Sequence, residues 1–538
     1  MRTNGTVGRL KAWLYASLVV AAAAPAVGGC RIDENYVHKK EGTQQGPEKL
    51  RAVLLAPKYD TALRTEAALS LVRMKPRGGR TVGIEVLVET LAEIPPDERA
   101  PILAGFVPAV IAELKKPPPV VQAGQAAAPD PSFAFKDASY AILTFDKQVL
   151  LADETLKQNL RAALIEWAMA DFERRLENRT QTYGMEQLLR YLGADSVVGL
   201  PKLINRDSRN LEKISGLIAD LGNDETKEAA STALVDIAKY VISDEWVKVK
   251  TPQLEEANKR SKLEPTPDQF KAQLEQYQDE ELMRVMGTLK RVGGRAAVDF
   301  ALDFAGEAKH KKERRAAALA AVELRLDPQK EEDMKRIFAI ALSDSPPEVL
   351  DLAFRRIGEM PRDKVVDRLY EAMKSDKWKV RRAAGTIVLK MSTLKHLGEF
   401  MGKLPEKDAK GFSMGEATTY GSWMGDLKEG KPNDELKKYL GPDQGAAVRT
   451  TALGFYLING TPDDIATVSA YEGDSAPVPA ECKFACYVPK DPAKPDDKEL
   501  KDIKTIGEFV KLCVVPGIKD REEAKKAAEK KAAEGEKK

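Results

Sequence analysis

Histidine is nearly absent from this 538-residue chain and occurs only at His38, His310 and His396. Three scattered imidazoles disfavour a histidine-based metal site and a nucleophile activated by a histidine base. His310 also stands in a run of lysines, a solvated basic surface that would repel a cation. The sequence contains no His-Glu-x-x-His, no Cys-x-x-Cys and no glycine-rich phosphate loop. We therefore predict no cofactor, no metal and no catalytic residues.

An excess of either charge is also missing. The chain has 85 Lys and Arg residues against 83 Asp and Glu residues, so no strong overall field favours nucleic acid. Nucleic acid is therefore not a predicted partner. Aromatic residues make up 6% of the chain and charged residues 31%. This balance suits many exposed helix faces and narrow seams between helices.

The length of the chain exceeds what one compact core supports, so several domains would be the ordinary expectation. A stack of helix pairs avoids this limit, because each repeat buries its apolar face only against its neighbours. Apolar residues recur with helical spacing through most of the sequence. Most of these blocks span about a dozen residues and end at Gly, Asn or Asp.

The clearest repeat lies in residues 375–391. An acidic turn there precedes Val-Arg-Arg-Ala-Ala at residues 380–384, and leucine follows within two turns. Related sequences occur at 313–317 and 447–452, with a weaker one at 349–353. Their spacing fits units of about 30 to 45 residues or twice that length, as in helical-repeat families. The segment resembles the second helix of a HEAT repeat.

The HEAT resemblance implies an all-α fold, an α-solenoid of stacked antiparallel helix pairs, and it covers roughly residues 50–115 and 190–465. HEAT-like solenoids are interaction platforms with extended surfaces. The paired alanines would let helices pack closely. The arginine at the helix start is predicted to pair with acidic turn residues such as Asp376 or Asp344, rather than to bind a ligand.

Changes in composition divide the chain into segments. They are predicted as a lipoprotein signal peptide (1–29), a flexible tether (30–48), N-terminal helical pairs (49–115), a Pro/Ala-rich linker (116–135), helical repeats (136–246), a polar insertion with some helix in its second half (247–276), HEAT-like repeats (277–470), a Cys-bearing C-terminal cap (471–519) and a disordered charged tail (520–538). The insertion is a candidate contact region, since insertions in solenoids form loops that often lie on a binding face.

The N-terminus predicts secretion. Residues 1–11 carry three basic residues, and the small apolar run at 12–27 is too short for a membrane span. The sequence Val-Gly-Gly-Cys ending at Cys30 resembles the bacterial lipobox, although Val27 stands where that family usually has Leu. The resemblance implies cleavage before Cys30, diacylglycerol on its thiol and acylation of its new amino group, such as with palmitate. Several acyl chains would anchor the protein firmly to a lipid bilayer.

An ordinary secreted protein, cleaved near residue 24 or 26, is the alternative. Arg31 stands where many enteric lipoproteins carry the Asp that retains them in the inner membrane. We therefore predict an outer-membrane protein facing the periplasm, with the inner membrane and the cell surface left open.

With Cys30 lipidated, three cysteines remain in an oxidising compartment. Cys486 and Cys513 flank a predicted apolar helix at 503–512, so a disulfide between them is one prediction. Cys482 with Cys513 is the alternative, while Cys482 with Cys486 would close only a short loop. A redox-active or metal-binding trio and free thiols are further alternatives.

Gly411-x-Ser413-x-Gly415 matches the pattern of a hydrolase nucleophile elbow. The elbow needs a buried strand before the serine and a catalytic histidine later in the chain. Residues 404–410 are too polar for such a strand, and no histidine follows Ser413. We therefore interpret the match as chance.

The sequence thus predicts a non-enzymatic, membrane-anchored lipoprotein. It would act as a helical-repeat scaffold for one or more proteins of the bacterial cell envelope. One alternative is a structural lipoprotein that spaces or stiffens the envelope. The other is an envelope hydrolase or thiol-redox enzyme that uses residues 411–425 or the Cys-bearing cap.

Overall fold

The computed structural model describes residues 32–75, 82–119, 130–177, 182–206, 208, 210–343, 345–405, 411–479, 481, 484–490 and 497–535. In this part of the chain almost all regular structure is α-helical, and the helices form two compact units, Met1–Leu188 and Leu189–Lys538. None of the described helices is both long enough and apolar enough to cross a membrane.

The first unit consists of helices that pack on near neighbours in the chain, such as α2 on α3 and α3 on α5. Its helices are α1 (Glu34–Glu41), α2 (Gly46–Leu55), α3 (Thr61–Arg73), α4 (Gly83–Glu93), α5 (Pro96–Leu114), α6 (Ser132–Leu143), α7 (Glu154–Ala170) and α8 (Phe172–Glu177), and α9 (Met185–Leu192) spans the boundary.

The second unit contains the longer helical series and a small sheet. Its helices are α10 (Leu211–Leu221), α11 (Asp224–Val241), α12 (Asp244–Arg260), α13 (Pro267–Val292), α14 (Arg295–Gly306), α15 (Lys312–Ala321), α16 (Glu331–Leu342), α17 (Pro347–Ile357), α18 (Arg362–Ala372), α19 (Trp378–Lys390), α20 (Leu397–Met401), α21 (Met414–Met424), α22 (Asn433–Leu436), α23 (Ala446–Asn459), α24 (Ile465–Ser469), α25 (Ile506–Phe509) and α26 (Val515–Gly535). The strands β1 (Ala485–Pro489) and β2 (Lys498–Asp502) pair antiparallel.

Helix starts follow local chemistry. The Asp60 carboxylate accepts the Leu63 N–H at 2.8 Å before α3, which satisfies one of the unpaired amides of the first turn. Thr266 and Gln269 form a reciprocal capping box at α13. Pro347 occupies the first position of α17, where its missing N–H costs nothing.

The repeats of the second unit are helix pairs, with α14 packed on α15, α16 on α17 and α18 on α19. The second helices α15, α17, α19, α21 and α23 also pack on one another in chain order. We call these five helices the second-helix layer. Each helix therefore buries its apolar side within its own pair and against the adjacent repeats. The predicted all-α helical-repeat fold is confirmed.

The alanine motif has a divided role in this layer. Ala384 and Ala353 are fully buried, whereas in α15 the buried alanine is Ala318, one residue beyond the motif predicted at 313–317, and Ala317 is half-buried. Ala383, the other member of its pair, is only half-buried and lies on the open side of α19. Ala384 thus permits close packing of the helices, while the small side chain of Ala383 leaves space on the open side of α19.

Hydrogen-bonded side chains connect successive repeats. Arg362 contacts Glu399 at 2.7 Å, and Arg368 contacts Glu331 at 2.7 Å. In both pairs the partners are 37 residues apart in the chain, which is one repeat length. The ion pairs therefore recur with the same spacing as the helix pairs of the apolar core.

The predicted tether differs from the structure. Residues 30–48 contain α1 and the start of α2, and Val37 of α1 is fully buried. Glu41 accepts hydrogen bonds from Ser70 Oγ at 2.7 Å and Arg73 Nε at 3.0 Å, so α1 is held against α3. A charged helix with one buried apolar residue leaves almost no periodic signal, which explains the error.

The polar insertion predicted at 247–276 is a helical hairpin made of α12 and the first half of α13. In α12 only Trp246 and Asn258 are buried, and burial in α13 begins at Leu282. The hairpin thus makes little core, and its sequence lacks the apolar period that predicts a helix.

Three further boundaries differ from the predictions. Helix α6 begins inside the linker predicted at 116–135, of which residues 120–129 lie outside the described structure. Residues 194–203, within the helical repeats predicted at 136–246, form two short 3₁₀ turns. The tail predicted as disordered at 520–538 is helical through Gly535, with Lys526 and Glu522 paired at 3.4 Å.

Candidate binding face

Ser413, the serine of the Gly-x-Ser-x-Gly match, is the N-cap of α21. Its hydroxyl accepts the Glu416 N–H at 3.2 Å, and the Glu416 carboxylate accepts the Ser413 N–H at 3.0 Å. The Ser413 side chain is buried, and the residues before it form no strand in the described chain. This is a helix-capping box: the Ser413 hydroxyl also donates to the Glu416 carboxylate at 3.0 Å, and that carboxylate is held by Arg381 rather than being the histidine that a nucleophile elbow needs.

Glu416 is fully buried and forms an ion pair with Arg381, whose Nε donates to it at 2.9 Å. Arg381 also donates to the backbone carbonyls of Ser375 at 2.8 Å and Asp376 at 3.0 Å. The repeat-motif arginine therefore contacts Asp376 through its carbonyl, and its carboxylate partner lies in the next repeat. Residue 344, the other predicted partner, is outside the described residues.

The same arrangement recurs in other units. Arg315 donates from Nε to the Ala305 carbonyl at 2.7 Å, at the end of the preceding helix. Its Nη2 donates to Ser345 Oγ at 2.9 Å, in the loop of the next repeat. Arg64 donates from Nε to the Leu54 carbonyl at the end of α2 and from Nη1 to the Glu98 carboxylate. Arg449 donates from Nε to the Leu440 carbonyl, shortly after α22, and from Nη2 to the Asp474 carboxylate. These buried arginines satisfy helix-end carbonyls and join repeats.

Glu34, His38 and Glu66 bring three metal-ligating side chains close together on α1 and α3. The guanidinium of Arg73 hydrogen bonds to Glu66, and its Nη2 lies 3.5 Å from His38 Nδ1. A positive side chain thus already neutralises this cluster. We assign it no metal.

Two of the four cysteines named in the predictions lie in the described structure. Cys486 of β1 and Cys513 are joined by a disulfide with a Cα–Cα distance of 5.8 Å. This bond attaches the β-hairpin of β1 and β2 to the helical segment at residues 510–514, which leads into α26. Cys30 and Cys482 lie outside the described residues, so the lipidation of Cys30 and the alternative Cys482–Cys513 pairing stay predictions.

A groove of about 410 Å³ lies between α17 and α19 on the open side of the second-helix layer. We call it the α17–α19 groove. The residues that line it are Asp351, Phe354, Arg355, Gly358, Glu359, Arg382, Ala383, Thr386, Ile387, Lys390 and Met391. Gly358 permits this close crossing, because a Cβ there would meet Ile387 Cγ2 at 3.1 Å.

Arg355 and Arg382 differ from the other arginines described in residues 189–538, because they form neither a hydrogen bond nor an ion pair. All the others do so, with a carboxylate or with a backbone carbonyl. Both exceptions line the α17–α19 groove. The arginines without a protein acceptor are thus concentrated at one place on the surface.

Two tryptophans contact cations of the groove wall, Trp378 at the start of α19 and Trp423 in α21. The Arg382 guanidinium lies 4.9 Å from the ring centroid of Trp378, which is 39% exposed. Lys390 Nζ lies 3.9 Å from the ring of the half-buried Trp423 on α21. Tryptophan and arginine are the residues most enriched where protein interfaces derive their affinity.

The α17–α19 groove was not predicted from the sequence, although its two free arginines each have an arginine as a neighbour. Arg355 and Arg382 each belong to an Arg-Arg pair, with Arg356 and Arg381 as the buried members. Neighbouring residues on a helix point about 100° apart, so the two cannot share one buried partner. The pair alone does not identify an outward-facing cation, because Arg314 and Arg315 of α15 are both buried and both bonded.

The comparisons with known proteins add little. No protein-family model matches the chain, and no curated protein matches it. Among solved structures, the chain is similar to the crystal structure of Kap121p bound to Nup53p, at 11% identity and a TM-score of 0.28. That match covers 82% of this chain and 52% of the other, so the chain spans about half the length of its structural neighbour. A likeness this distant carries no functional argument, and the assignment of helical repeats depends on the packing described above.

Proposed function

We propose that this protein is a lipid-anchored, non-enzymatic scaffold that binds another protein of the bacterial envelope through its second-helix layer. The α17–α19 groove supports the proposal most directly. Its lining combines unpaired arginines with apolar residues, and two tryptophans contact the cations of its wall, a composition typical of protein-binding surfaces.

The anchor in this proposal is Cys30, on the lipobox-like sequence that ends there. Three acyl chains would hold the chain at a bilayer, and the outer membrane facing the periplasm is the proposed location. Residues from α1 onward would then begin close to the membrane surface.

Site-specific photocrosslinking in cells tests the scaffold. A photoreactive amino acid replaces Thr386 in the groove or, as the matched control, Lys335 on the exposed side of α16. We expect position 386 to crosslink one envelope protein that position 335 does not. The Cys30→Ser variant should lose both an incorporated fatty-acid label and this crosslink, because it is no longer held beside its partner.

Equal crosslinking from positions 386 and 335, or none from either, would overturn the scaffold proposal. Retention of the fatty-acid label in Cys30→Ser would overturn the anchor alone.

A further inference from the structure

The α17–α19 groove has more positive charge than its surroundings neutralise. Arg355, Arg382 and Lys390 bring three cations to its walls. Glu359 is committed elsewhere, since its carboxylate pairs with Arg356 at 2.9 Å and accepts the Leu324 N–H at 2.7 Å. Asp351 is the one other carboxylate of the lining, so the three cations outnumber the carboxylates left to match them.

We propose that the α17–α19 groove binds an extended acidic peptide segment of the partner protein, with Asp or Glu carboxylates on Arg355 and Arg382. This inference builds on the proposed scaffold function and names the chemistry of its partner. Guanidinium groups bind carboxylates through paired, charge-assisted hydrogen bonds, and these two have their donors available.

The dimensions suit a short segment. Helix α17 has 11 residues and is thus about 16 Å long. An extended peptide advances about 3.3 Å per residue, so about five residues would lie along the groove. Alternate side chains of such a segment face opposite ways, which lets acidic residues meet the arginines while others meet different surfaces.

The floor and walls of the groove favour a peptide over a uniform polyanion. The buried side chains of Phe354 and Ile387 form the apolar floor, which suits aliphatic side chains between the acidic ones. Trp378, the first residue of α19, and Trp423 of α21 contact the cations Arg382 and Lys390 of the groove wall, and so place aromatic surface beside the site. Asp351 places a carboxylate on the groove wall that would repel any anion beside it, peptide carboxylates included, which disfavours a continuous polyanion more than separated acidic side chains.

Fluorescence anisotropy with the purified full chain tests the assignment. The probe is a labelled peptide in which Asp and Glu alternate with Leu, and the control peptide carries Asn and Gln in their places. We expect the acidic peptide to bind at least about tenfold more tightly, with an affinity that falls as salt is added.

The variants make the test specific to the groove. Arg355→Gln with Arg382→Gln should weaken acidic-peptide binding about a hundredfold, since each removes a charge-assisted contact. Lys335→Gln with Lys395→Gln removes the same net charge from exposed sites outside the groove and should change binding less than about threefold. Arg355→Glu with Arg382→Glu should instead favour a peptide in which Lys alternates with Leu.

Equal binding of the acidic and amide peptides would overturn the inference, as would an unchanged affinity in the Arg355→Gln/Arg382→Gln variant. A DNA oligonucleotide that binds more tightly than the acidic peptide would replace the peptide by a nucleic acid. If a specific crosslink still forms at position 386 in these cases, the scaffold function stands and only the acidic partner is wrong. If no crosslink forms, the scaffold proposal itself has failed.

Discussion

Glu416 carries a carboxylate into the interior of the second unit, where the guanidinium of Arg381 compensates it at 2.9 Å. Removal of one member of a buried ion pair leaves the other as an uncompensated charge. We expect Glu416→Ala to lower the free energy of unfolding by about 3 kcal/mol or more. Loss of the capping box with Ser413 adds to the effect. Urea unfolding followed by circular dichroism measures the change.

The exposed pair of Arg368 with Glu331 offers a control of the same chemistry. Glu331→Ala should shift the unfolding midpoint only slightly, because water replaces the lost partner. If Glu331→Ala is as destabilising as Glu416→Ala, burial is not what makes the Arg381–Glu416 pair important. The double variant Arg381→Met/Glu416→Leu should recover much of the stability, since neither charge is then left alone.

Helices α21 and α23 cross closely because each has a glycine at the crossing. A Cβ at Gly454 would lie 2.8 Å from the Ala417 carbonyl oxygen and 3.0 Å from the Thr418 Cα. A Cβ at Gly421 would meet the backbone of residues 454 and 455. Since backbone cannot move aside as a flexible side chain can, we expect Gly421→Ala and Gly454→Ala each to destabilise this end of the stack by about 1 to 3 kcal/mol. Thermal unfolding provides the measurement.

Gly415 lies in the same helix as Gly421 but is exposed, and a Cβ there would touch nothing closer than Ser413 Oγ at 3.7 Å. Gly415→Ala should therefore leave stability unchanged or raise it by up to about 1 kcal/mol, as helix propensity favours alanine. If Gly415→Ala and Gly421→Ala have the same effect, close approach does not explain the glycines of residues 411–425.

The helix pairs were accessible to prediction because apolar spacing, caps and prolines are local signals. The Pro-Pro pair at 95–96 indicates the boundary between α4 and α5, where the structure has it. Helices α1 and α12 escaped prediction for the opposite reason, because each buries only one or two side chains and so has no apolar stripe. Periodicity detects burial rather than helicity, and mostly exposed helices are therefore missed.

The α17–α19 groove could not be predicted from local sequence for another reason. Whether an arginine is paired depends on residues one repeat away, as Arg381 with Glu416 illustrates at a separation of 35 residues. Arg382, its immediate neighbour, has the same local sequence and no such partner. The availability of Arg382 is thus a property of the stacked molecule, since the Arg314-Arg315 pair of α15 has both members buried and bonded.

Acid should loosen the second unit as a whole, because ion pairs connect its repeats. The pKa of Glu331 is lowered by its hydrogen bond to Arg368, and the pKa of Glu348 by its hydrogen bond to Lys312. Lys290 lowers the pKa of Glu323 in the same way. A carboxylate whose pKa is lower in the folded chain stabilises the fold above its unfolded value of about 4.3. That stabilisation is lost as the pH falls through the lowered folded value.

We therefore expect the thermal unfolding midpoint to be nearly constant from about pH 6 to pH 5 and to fall only modestly below about pH 4 on account of these pairs, because water screens exposed charges. Added salt at neutral pH should lower the midpoint only modestly, because it screens these exposed pairs without protonating them. Glu323→Gln, Glu331→Gln and Glu348→Gln together should flatten the acid dependence, whereas the same number of Gln substitutions at exposed carboxylates without partners should not. An acid dependence identical in both triple variants would mean that the connections between repeats are apolar in origin. The stack would then depend on its alanine and leucine seams alone, with the ion pairs fixing register but adding no stability.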